Sequence, residues 1–198
     1  MRLDTINQFS IVLASQSPRR EKLLSDMGLK FKIHPSNIDE EIHTGVPFDK
    51  LAEYFAQRKA EDVAQYYIHN TIVIGCDTTV LLDNELLEKP QNREEAIDML
   101  KLLSGKTHKV ISAICVIHKH KTLVYSDTAK VSFDRLREEE INYYIDTYAP
   151  FDKAGGYGIQ EWIGYIGINH IEGSFYTVMG LPTHLLWNVL KQAVENGF

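Results

Sequence analysis

The sequence predicts a mixed α/β protein, and three features of the chain lead to that class. Apolar runs rich in Val and Ile recur, the clearest being Ile72–Val80 and Lys109–Ile117, and such runs are typical of buried strands. Segments with apolar residues at helical spacing lie between these runs, as at 47–67. Short turns link other apolar runs, which indicates antiparallel strand pairs. Together these features favour helices packed on a sheet.

Length and composition limit the class of protein further. A chain of 198 residues with 44% hydrophobic and 24% charged residues can bury a core, as one domain or as two closely packed lobes. The net charge of −6 gives no basic face for nucleic acid. The sequence has no signal-like apolar region and no run of about eighteen apolar residues. Cys76 and Cys115 lie in apolar runs, as expected of buried, reduced thiols. We therefore expect a cytoplasmic protein with no nucleic-acid or membrane partner.

The first strand and helix have the layout of an anion site. A short strand at Ile11–Leu13 is followed by a hydroxyl-rich loop, and Pro18 then suits the first position of a helix that Gly28 ends. Arg19 and Arg20 lie in the first turn, where the positive end of the helix dipole disfavours cations. Their presence is therefore better explained by a bound anion such as phosphate, which free backbone N–H groups would also bind. The alternative is a capped helix with solvated arginines.

The next third of the chain carries carboxylates and one isolated lysine. A second strand is predicted at Phe31–Ile33, and the acidic run 39–41 follows it. Either all three carboxylates face solvent, or one of them faces a metal ion. A long helix is predicted at 47–67. Lys59 lies on the flank of its apolar stripe, where the plain interpretation is a side chain that snorkels to solvent.

The run Ile72–Val80 is the stretch around which the chain is organised. It predicts a central strand in which Gly75 allows a turn or a close approach near the strand's end. Asp77 follows, where sheet proteins often place chemistry. A simple Asp-Thr turn at the end of a strand is the competing interpretation.

The remaining elements are predicted from turn and cap signals. In chain order they are a hairpin arm at Leu86–Pro90, a helix capped by Asn92 and ended by Gly105, strands at Lys109–Ile117, Leu123–Tyr125 and Lys130–Phe133 with a turn at 118–121, a helix at Glu138–Thr147, a glycine-rich loop at Asp152–Gln160, a turn region at Gly173–Leu181 and a last helix from Pro182. A loop so rich in glycine lets backbone come close to a ligand.

Six fragments in this order resemble the Maf family over nearly the whole chain. They are Leu13–Arg20, Gly75–Val80, Glu88–Pro90, Ser104–His108, Lys153–Gln160 and Gly180–Pro182. The resemblance implies one domain over 1–198 with the elongated α/β fold shared with inosine triphosphate pyrophosphatases. This fold has a mixed, twisted sheet and two lobes that flank a deep central groove. It also implies a nucleoside triphosphate pyrophosphatase. The stretch Ala154–Gln160 is similar to the branch that acts on dTTP and UTP.

The same resemblance implies roles for individual residues. Asp77 would be the proton acceptor that activates water, and Asp77 with Glu40 would hold Mg²⁺ or Mn²⁺. The residues expected to bind substrate are Ser15, Arg19, Arg20, Lys59, Thr78, Lys89 and Gln160. Among these, the cations would neutralise the triphosphate, and Arg19, Thr78 and Gln160 would set specificity, since an amide can pair with a pyrimidine edge. Cys76 and Thr177 stand where Ala and Asn are usual in the family. Neither difference removes a charged group that the reaction needs, so they bear mainly on fine substrate preference.

Two alternatives remain beside the dTTP and UTP prediction. The substrate would be 7-methyl-GTP or another modified purine triphosphate in one, and in the other the chain would be a nucleotide-binding regulator of septum formation without turnover. A homodimer is possible, as is frequent among such enzymes.

Overall fold

The computed structural model describes residues 3–40, 45–67, 70–119 and 121–195. The helices are α1 Leu3–Ile6, α2 Pro18–Asp26, α3 Leu51–Ala64, α4 Arg93–Leu103, α5 Glu138–Tyr148, α6 Trp162–Gly167, α7 Phe175–Met179 and α8 Thr183–Glu195. The strands are β1 Ser10–Leu13, β2 Phe31–Ile33, β3 Thr71–Leu82, β4 Glu85–Leu87, β5 Thr107–His118, β6 Lys121–Phe133 and β7 Ile168–Glu172. Short 3₁₀ turns occupy Phe48–Lys50, Pro150–Asp152 and Ala154–Gly156. Within the described ranges, no helix is long and apolar enough to cross a membrane.

The strands form one mixed sheet, which confirms the predicted α/β class. Its order is β2-β1-β3-β5-β6-β7, with β4 paired to β3. Strand β1 runs parallel to both β2 and β3, and the register sets Leu13 beside Ile33 on one side and Ile74 on the other. The pairs β3·β4 and β6·β7 are antiparallel. Strands β1 and β3 carry the run of buried apolar residues that parallel strands need on both faces, whereas β2 at the edge is largely exposed.

The chain divides into two compact units. The first comprises Met1–Asp77, Ser112–Asp127 and Gly180–Phe198, and the second comprises Thr78–Ile111 and Thr128–Met179. Fully buried residues of the first unit include Leu13, Leu24, Ala56, Ile74 and Leu186. The core of the second unit is built on α4, α5 and the strand residues beside them, with Leu100, Leu103, Val131, Phe133, Ile141 and Tyr144 among its members.

Several predicted helix ends are confirmed. Helix α2 begins at Pro18, and Gly28 follows its last turn with φ of +76°. The Asn92 side chain accepts a hydrogen bond from the Glu95 N–H and caps α4. Gly105, just after α4, has φ of +72°, a backbone conformation that glycine adopts at low cost.

Other predicted bounds are wrong, for identifiable reasons. The predicted helix at 47–67 is a 3₁₀ turn followed by the shorter α3. The predicted strands at Leu123–Tyr125 and Lys130–Phe133 are one strand, β6, because sheet pairing continues through the polar residues between them. Residue 120 of the predicted turn lies outside the described residues. Helix α6 and strand β7 were not predicted, since glycine punctuates the α6 sequence. Helix α7 lies inside the predicted turn region Gly173–Leu181.

Candidate functional site

The centre of the site is a close approach between helix α3 and strand β3. A Cβ atom on Gly75 would lie 2.1 Å from the Ala56 carbonyl oxygen and 2.8 Å from the Ala60 Cβ atom. Both neighbours belong to α3, and the first is backbone, which cannot move aside alone. Gly75 therefore serves a close approach and not a turn, and β3 continues past Asp77 to Leu82. The prediction that the strand ends near Asp77 is wrong.

This close approach brings Lys59 against two carboxylates. Gly75 and Asp77 are two residues apart on β3, so their side-chain positions share one face of the strand. Lys59 lies in α3 between Ala56 and Ala60, and its Nζ is 2.6 Å from Asp77 Oδ1. The same Nζ is 2.9 Å from Glu40 Oε1. The snorkelling interpretation of Lys59 is wrong, because only 6% of the residue is exposed.

Burial makes this ion pair sensitive to the loss of either partner. The side chains of Lys59 and Asp77 are 8% and 14% exposed, whereas that of Glu40 is 48% exposed. Removing one member of a buried pair typically costs about 3–5 kcal/mol, since the other charge is left without a partner. An ion pair to a side chain as exposed as that of Glu40 contributes little to stability. Lys59 and Asp77 are therefore the fixed part of the cluster.

Arg20 is held in the same unit by two acceptors. Its Nε donates to the Gly180 carbonyl oxygen at 2.9 Å, and one terminal nitrogen donates to Ser15 Oγ at 3.2 Å. Ser15 Oγ also accepts the Ser17 N–H at 3.2 Å, at the start of α2. Gly180 has φ of +105°, a conformation that other residues rarely adopt. The orientation of the guanidinium is thus set by backbone as well as by a side chain.

The buried thiol of Cys76 reports the charges around it. Burial raises the pKa of Cys76 to about 11, while the cations Arg20 and Lys59 lower it and Asp77 raises it. The thiol is therefore protonated at neutral pH and is not a nucleophile. Burial likewise raises the pKa of Cys115 to about 12. Two cations and a carboxylate therefore lie within electrostatic range of Cys76.

The structure divides the predicted site residues between the two units. Ser15, Arg19, Arg20, Glu40, Lys59 and Asp77 belong to the first unit, and Thr78, Lys89 and Gln160 belong to the second. Arg19, Thr78 and Gln160 are half-buried, and Lys89 is exposed. Glu41 of the acidic run lies outside the described residues.

Gln160 borders an open cavity of the second unit. The cavity measures about 530 Å³, and its lining includes Gln160, Tyr165, Asn169, His170 and Phe175. The Gln160 Oε1 atom is buried and has no hydrogen-bond partner among the described residues. A buried carbonyl oxygen without a hydrogen-bond donor lowers the stability of a folded protein.

The sequence analysis missed a second polar cluster, which surrounds the glycine-rich loop. Lys153 Nζ lies 2.7 Å from Asp152 Oδ1 and 3.2 Å from Glu161 Oε1. The Tyr144 hydroxyl donates to Glu161 Oε2 and accepts the Gly158 N–H at 2.9 Å. Tyr144 is fully buried on α5 between Ile141 and Ile145. A tyrosine at such a core position was the available signal, since a buried hydroxyl needs a partner.

A neighbouring histidine anchors the same loop at Tyr157. His108 Nε2 lies 2.7 Å from the Tyr157 hydroxyl, and the imidazole stacks on Phe133. Burial lowers the pKa of His108 to about 4, so the ring is neutral at physiological pH. Its Nδ1 atom has no hydrogen-bond partner within the described residues. The loop is therefore fixed at Tyr157 and again at Gly158.

The donor set available for a divalent cation is small. In the described part of the chain, no group of three or more His, Cys, Asp or Glu side chains could hold a metal ion. Glu40 and Asp77 flank the Lys59 ammonium, which shows that both carboxylates reach one positive charge. Mg²⁺ is commonly bound by one or two carboxylates together with water and substrate phosphates. This pair therefore fits a cation that completes its coordination with substrate.

The family model and the relatives found by sequence match almost the whole chain. Residues 10–193 match the family model described as Maf-like protein. A dTTP/UTP pyrophosphatase of Porphyromonas gingivalis is 48% identical over 198 residues, which is 98% of this chain and 99% of that protein. One of Parabacteroides distasonis is 45% identical, covering 96% of this chain and 98% of its own. The solved Staphylococcus aureus Ham1 protein aligns with 63% of this chain and 71% of its own, at 17% identity and a TM-score of 0.42.

Proposed function

The chain belongs to the Maf-like family, and from that premise we propose that it hydrolyses dTTP and UTP to the nucleoside monophosphate and pyrophosphate. The names of relatives that are 48% and 45% identical over nearly the full length support this substrate pair. The observation that carries the proposal is the buried pair of Lys59 and Asp77 at 2.6 Å, in the unit that also orients Arg20. A carboxylate beside fixed cations suits attack on a polyphosphate.

Asp77 is the proposed general base. It takes a proton from the water that attacks the α phosphorus, the bond from that phosphorus to the bridging oxygen breaks, and pyrophosphate leaves with this oxygen. Lys59 holds Oδ1 of Asp77 in one orientation, which is the positioning that a general base requires. A positioned base contributes about 10² to 10⁴ in rate.

The proposed grip on the triphosphate comes from Arg19, Arg20, Lys59 and Lys89. Arg20 supports this role best, because two hydrogen bonds already fix its guanidinium before any phosphate binds. Ser15 remains a proposed substrate residue and also orients Arg20. Preorganised cations lower the barrier because they need no rearrangement as charge develops.

We propose that Glu40 and Asp77 bind Mg²⁺ or Mn²⁺, which would neutralise phosphate charge when present. The carboxylates contact Lys59 in this structure, so the ammonium must share or exchange these partners when a cation binds. Because an ammonium has three N–H donors, Lys59 can keep Oδ1 of Asp77 while another N–H binds a phosphate oxygen, which accounts for one lysine serving two proposed roles.

We propose that Arg19, Thr78 and Gln160 select the nucleobase. The Gln160 amide can donate to and accept from the O4 and N3 edge of uracil or thymine. Its unpartnered Oε1 atom supports a role in which substrate supplies the missing donor.

The test of the proposed function is pyrophosphate release with Mg²⁺ or Mn²⁺ from dTTP, UTP, CTP, ATP, GTP and 7-methyl-GTP. We expect turnover of dTTP and UTP, and a loss of about 10² to 10⁴ in Asp77→Asn, because the amide cannot accept the proton. Asp26→Asn is the matched control, since Asp26 pairs with Lys22 at the exposed end of α2. Turnover confined to purine nucleotides would support the modified-purine alternative. Nucleotide binding without pyrophosphate release would support the regulator.

We also propose a cytoplasmic homodimer. The two thiols, both buried and outside any disulfide, support a reducing compartment. Light scattering on the purified protein should then give twice the chain mass of 22.7 kDa. A mass of one chain at micromolar concentration would contradict the dimer and leave the proposed reaction untouched.

A further inference from the structure

The segment that carries Gln160 is fixed by a buried polar network. The Gly158 N–H donates to the Tyr144 hydroxyl at 2.9 Å, and this hydroxyl donates in turn to Glu161. The Glu161 N–H donates to the Gly158 carbonyl oxygen at 3.0 Å, closing a tight turn. Lys153, 8% exposed, holds the other oxygen of Glu161 at 3.2 Å. Gln160 therefore lies between the backbone of Gly158 and the side chain of Glu161, both of which are tied to the core.

The Gln160 amide lies against this fixed backbone. A Cβ atom on Gly158 would be 2.9 Å from Gln160 Nε2 and 2.7 Å from Glu161 Cδ. Both side chains thus fold back over the glycine. Because Gln160 Oε1 has no hydrogen-bond partner among the described residues, that atom does not set the orientation of the amide. The placement of the amide over Gly158 depends on the backbone turn on which the side chain sits.

We propose that Tyr144, Lys153 and Glu161 are positioning residues that fix the Gln160 amide and thereby determine which nucleobase is accepted. This inference rests on the proposed pyrophosphatase activity. Neither Tyr144 nor Lys153 needs to contact the nucleotide, because each acts through the turn at Gly158–Glu161. Tyr144 is the centre of the network, since its hydroxyl both accepts from Gly158 and donates to Glu161.

The Tyr144 hydroxyl remains a hydrogen-bond donor at neutral pH. Burial, and then the hydrogen bond to Glu161, raise the pKa of Tyr144 far above its ordinary value. The hydroxyl thus stays protonated and keeps donating. Fully satisfied buried networks rigidify the structure around them, whereas partly satisfied ones do not.

The test compares Tyr144→Phe with Tyr143→Phe. Tyr143 is the neighbour on α5, is 51% exposed, and keeps its ring contact with Trp162 when its hydroxyl is removed. The measurement is kcat/KM for dTTP divided by kcat/KM for dCTP. We expect this ratio to fall about tenfold in Tyr144→Phe, the equivalent of one hydrogen bond, and to be unchanged in Tyr143→Phe. A merely structural defect would lower kcat/KM equally for dTTP and dCTP and leave their ratio unchanged.

Gln160→Ala supplies the reference for this ratio. If the inference is right, Gln160→Ala lowers the ratio, and adding Tyr144→Phe to it changes the ratio no further, since both act through one amide. A folded Tyr144→Phe protein with the wild-type ratio would overturn the inference while the proposed function stood. An unchanged ratio in Gln160→Ala would overturn it too.

A second readout does not need turnover. In ¹⁵N spectra of the uncomplexed protein, Tyr144→Phe should shift the Gln160 side-chain amide signals and speed hydrogen exchange at the Gly158 N–H. Glu161→Gln, which keeps an acceptor for Tyr144 but weakens the Lys153 contact, serves if Tyr144→Phe does not fold. Unchanged Gln160 signals in both variants would overturn the inference. A wild-type protein without activity towards any nucleotide refutes the proposed function separately.

Discussion

Two buried lysines of this protein each lie between two carboxylates, yet the two clusters are built differently. Lys59 in the first unit contacts Asp77 at 2.6 Å and Glu40 at 2.9 Å. Lys153 in the second unit contacts Asp152 at 2.7 Å and Glu161 at 3.2 Å. In the Lys153 cluster both Glu161 oxygens are engaged, one by the lysine and the other by Tyr144. In the Lys59 cluster, one oxygen of Asp77 meets the lysine.

The two clusters differ in how firmly their carboxylates are held. The Lys153 cluster is local in sequence, closed by a tyrosine and tied to a backbone N–H, so it acts as a brace. The Lys59 cluster joins a helix, a central strand and the half-exposed Glu40, which come from three separate segments of the chain. Similar residue types at similar distances therefore suit the proposed chemistry in one unit and the proposed rigidity in the other.

The largest expected effect is on turnover when each lysine is replaced by methionine. Lys59→Met should lower kcat for dTTP about 10² to 10³-fold, the usual loss when one preorganised charge is removed. Lys153→Met should lower it less than tenfold, because this lysine acts on Gln160 only through the Glu161 turn. Steady-state kinetics on both folded variants decide the matter. Equal losses would abolish the distinction between a reactive cluster and a brace.

The buried His108 of the second unit should make the free energy of unfolding depend on pH. The pKa of His108 is lowered to about 4 in the folded second unit, so below its ordinary value of 6.5 the unfolded chain binds the proton first. Stability therefore falls as pH drops below about 6.5 and levels off near 4, by roughly 2 to 3 kcal/mol. Urea unfolding of wild type and His108→Asn between pH 7 and 4.5 measures this slope, which should be shallower in the variant. His170→Asn, an exposed position, is the control and should keep the wild-type slope.

The smallest expected effect compares two glycines. Gly75→Ala sets a methyl group against α3 backbone and should cost about 1 to 3 kcal/mol of unfolding free energy, with a loss of turnover as Lys59 shifts. Gly158→Ala meets only the ends of two side chains, so it should cost less and alter nucleotide preference instead. Thermal unfolding measures the loss of stability, and the ratio of kcat/KM for dTTP to that for dCTP measures the change in nucleotide preference. A larger stability loss in Gly158→Ala would contradict the comparison.

Local signals in the sequence predicted much of the fold. The Asn92 cap, Gly28 and Gly105 located helix ends because caps depend on neighbouring residues. The same reasoning missed α6, whose glycines conceal its helical spacing. The ends of long strands also escaped it, because pairing across the sheet decides them.

The candidate site was predicted as a set of residues rather than as an arrangement. The motif around Asp77 and the arginines of α2 drew attention through residue type and position. The burial of Lys59 could not be predicted, since it depends on Gly75 letting α3 approach and on carboxylates from two other segments. Tyr144 likewise resembled an ordinary core aromatic, because its partners lie 14 and 17 residues further along the chain.

The hydrogen bond from Arg20 to the Gly180 carbonyl spans 160 residues of sequence. During synthesis, the arginine leaves the ribosome long before the glycine is added to the chain. Until then the guanidinium lacks the acceptor that fixes its Nε atom. The orientation of Arg20 seen here is therefore completed only after residue 180 has been added, so a shorter nascent chain cannot hold the guanidinium in this way.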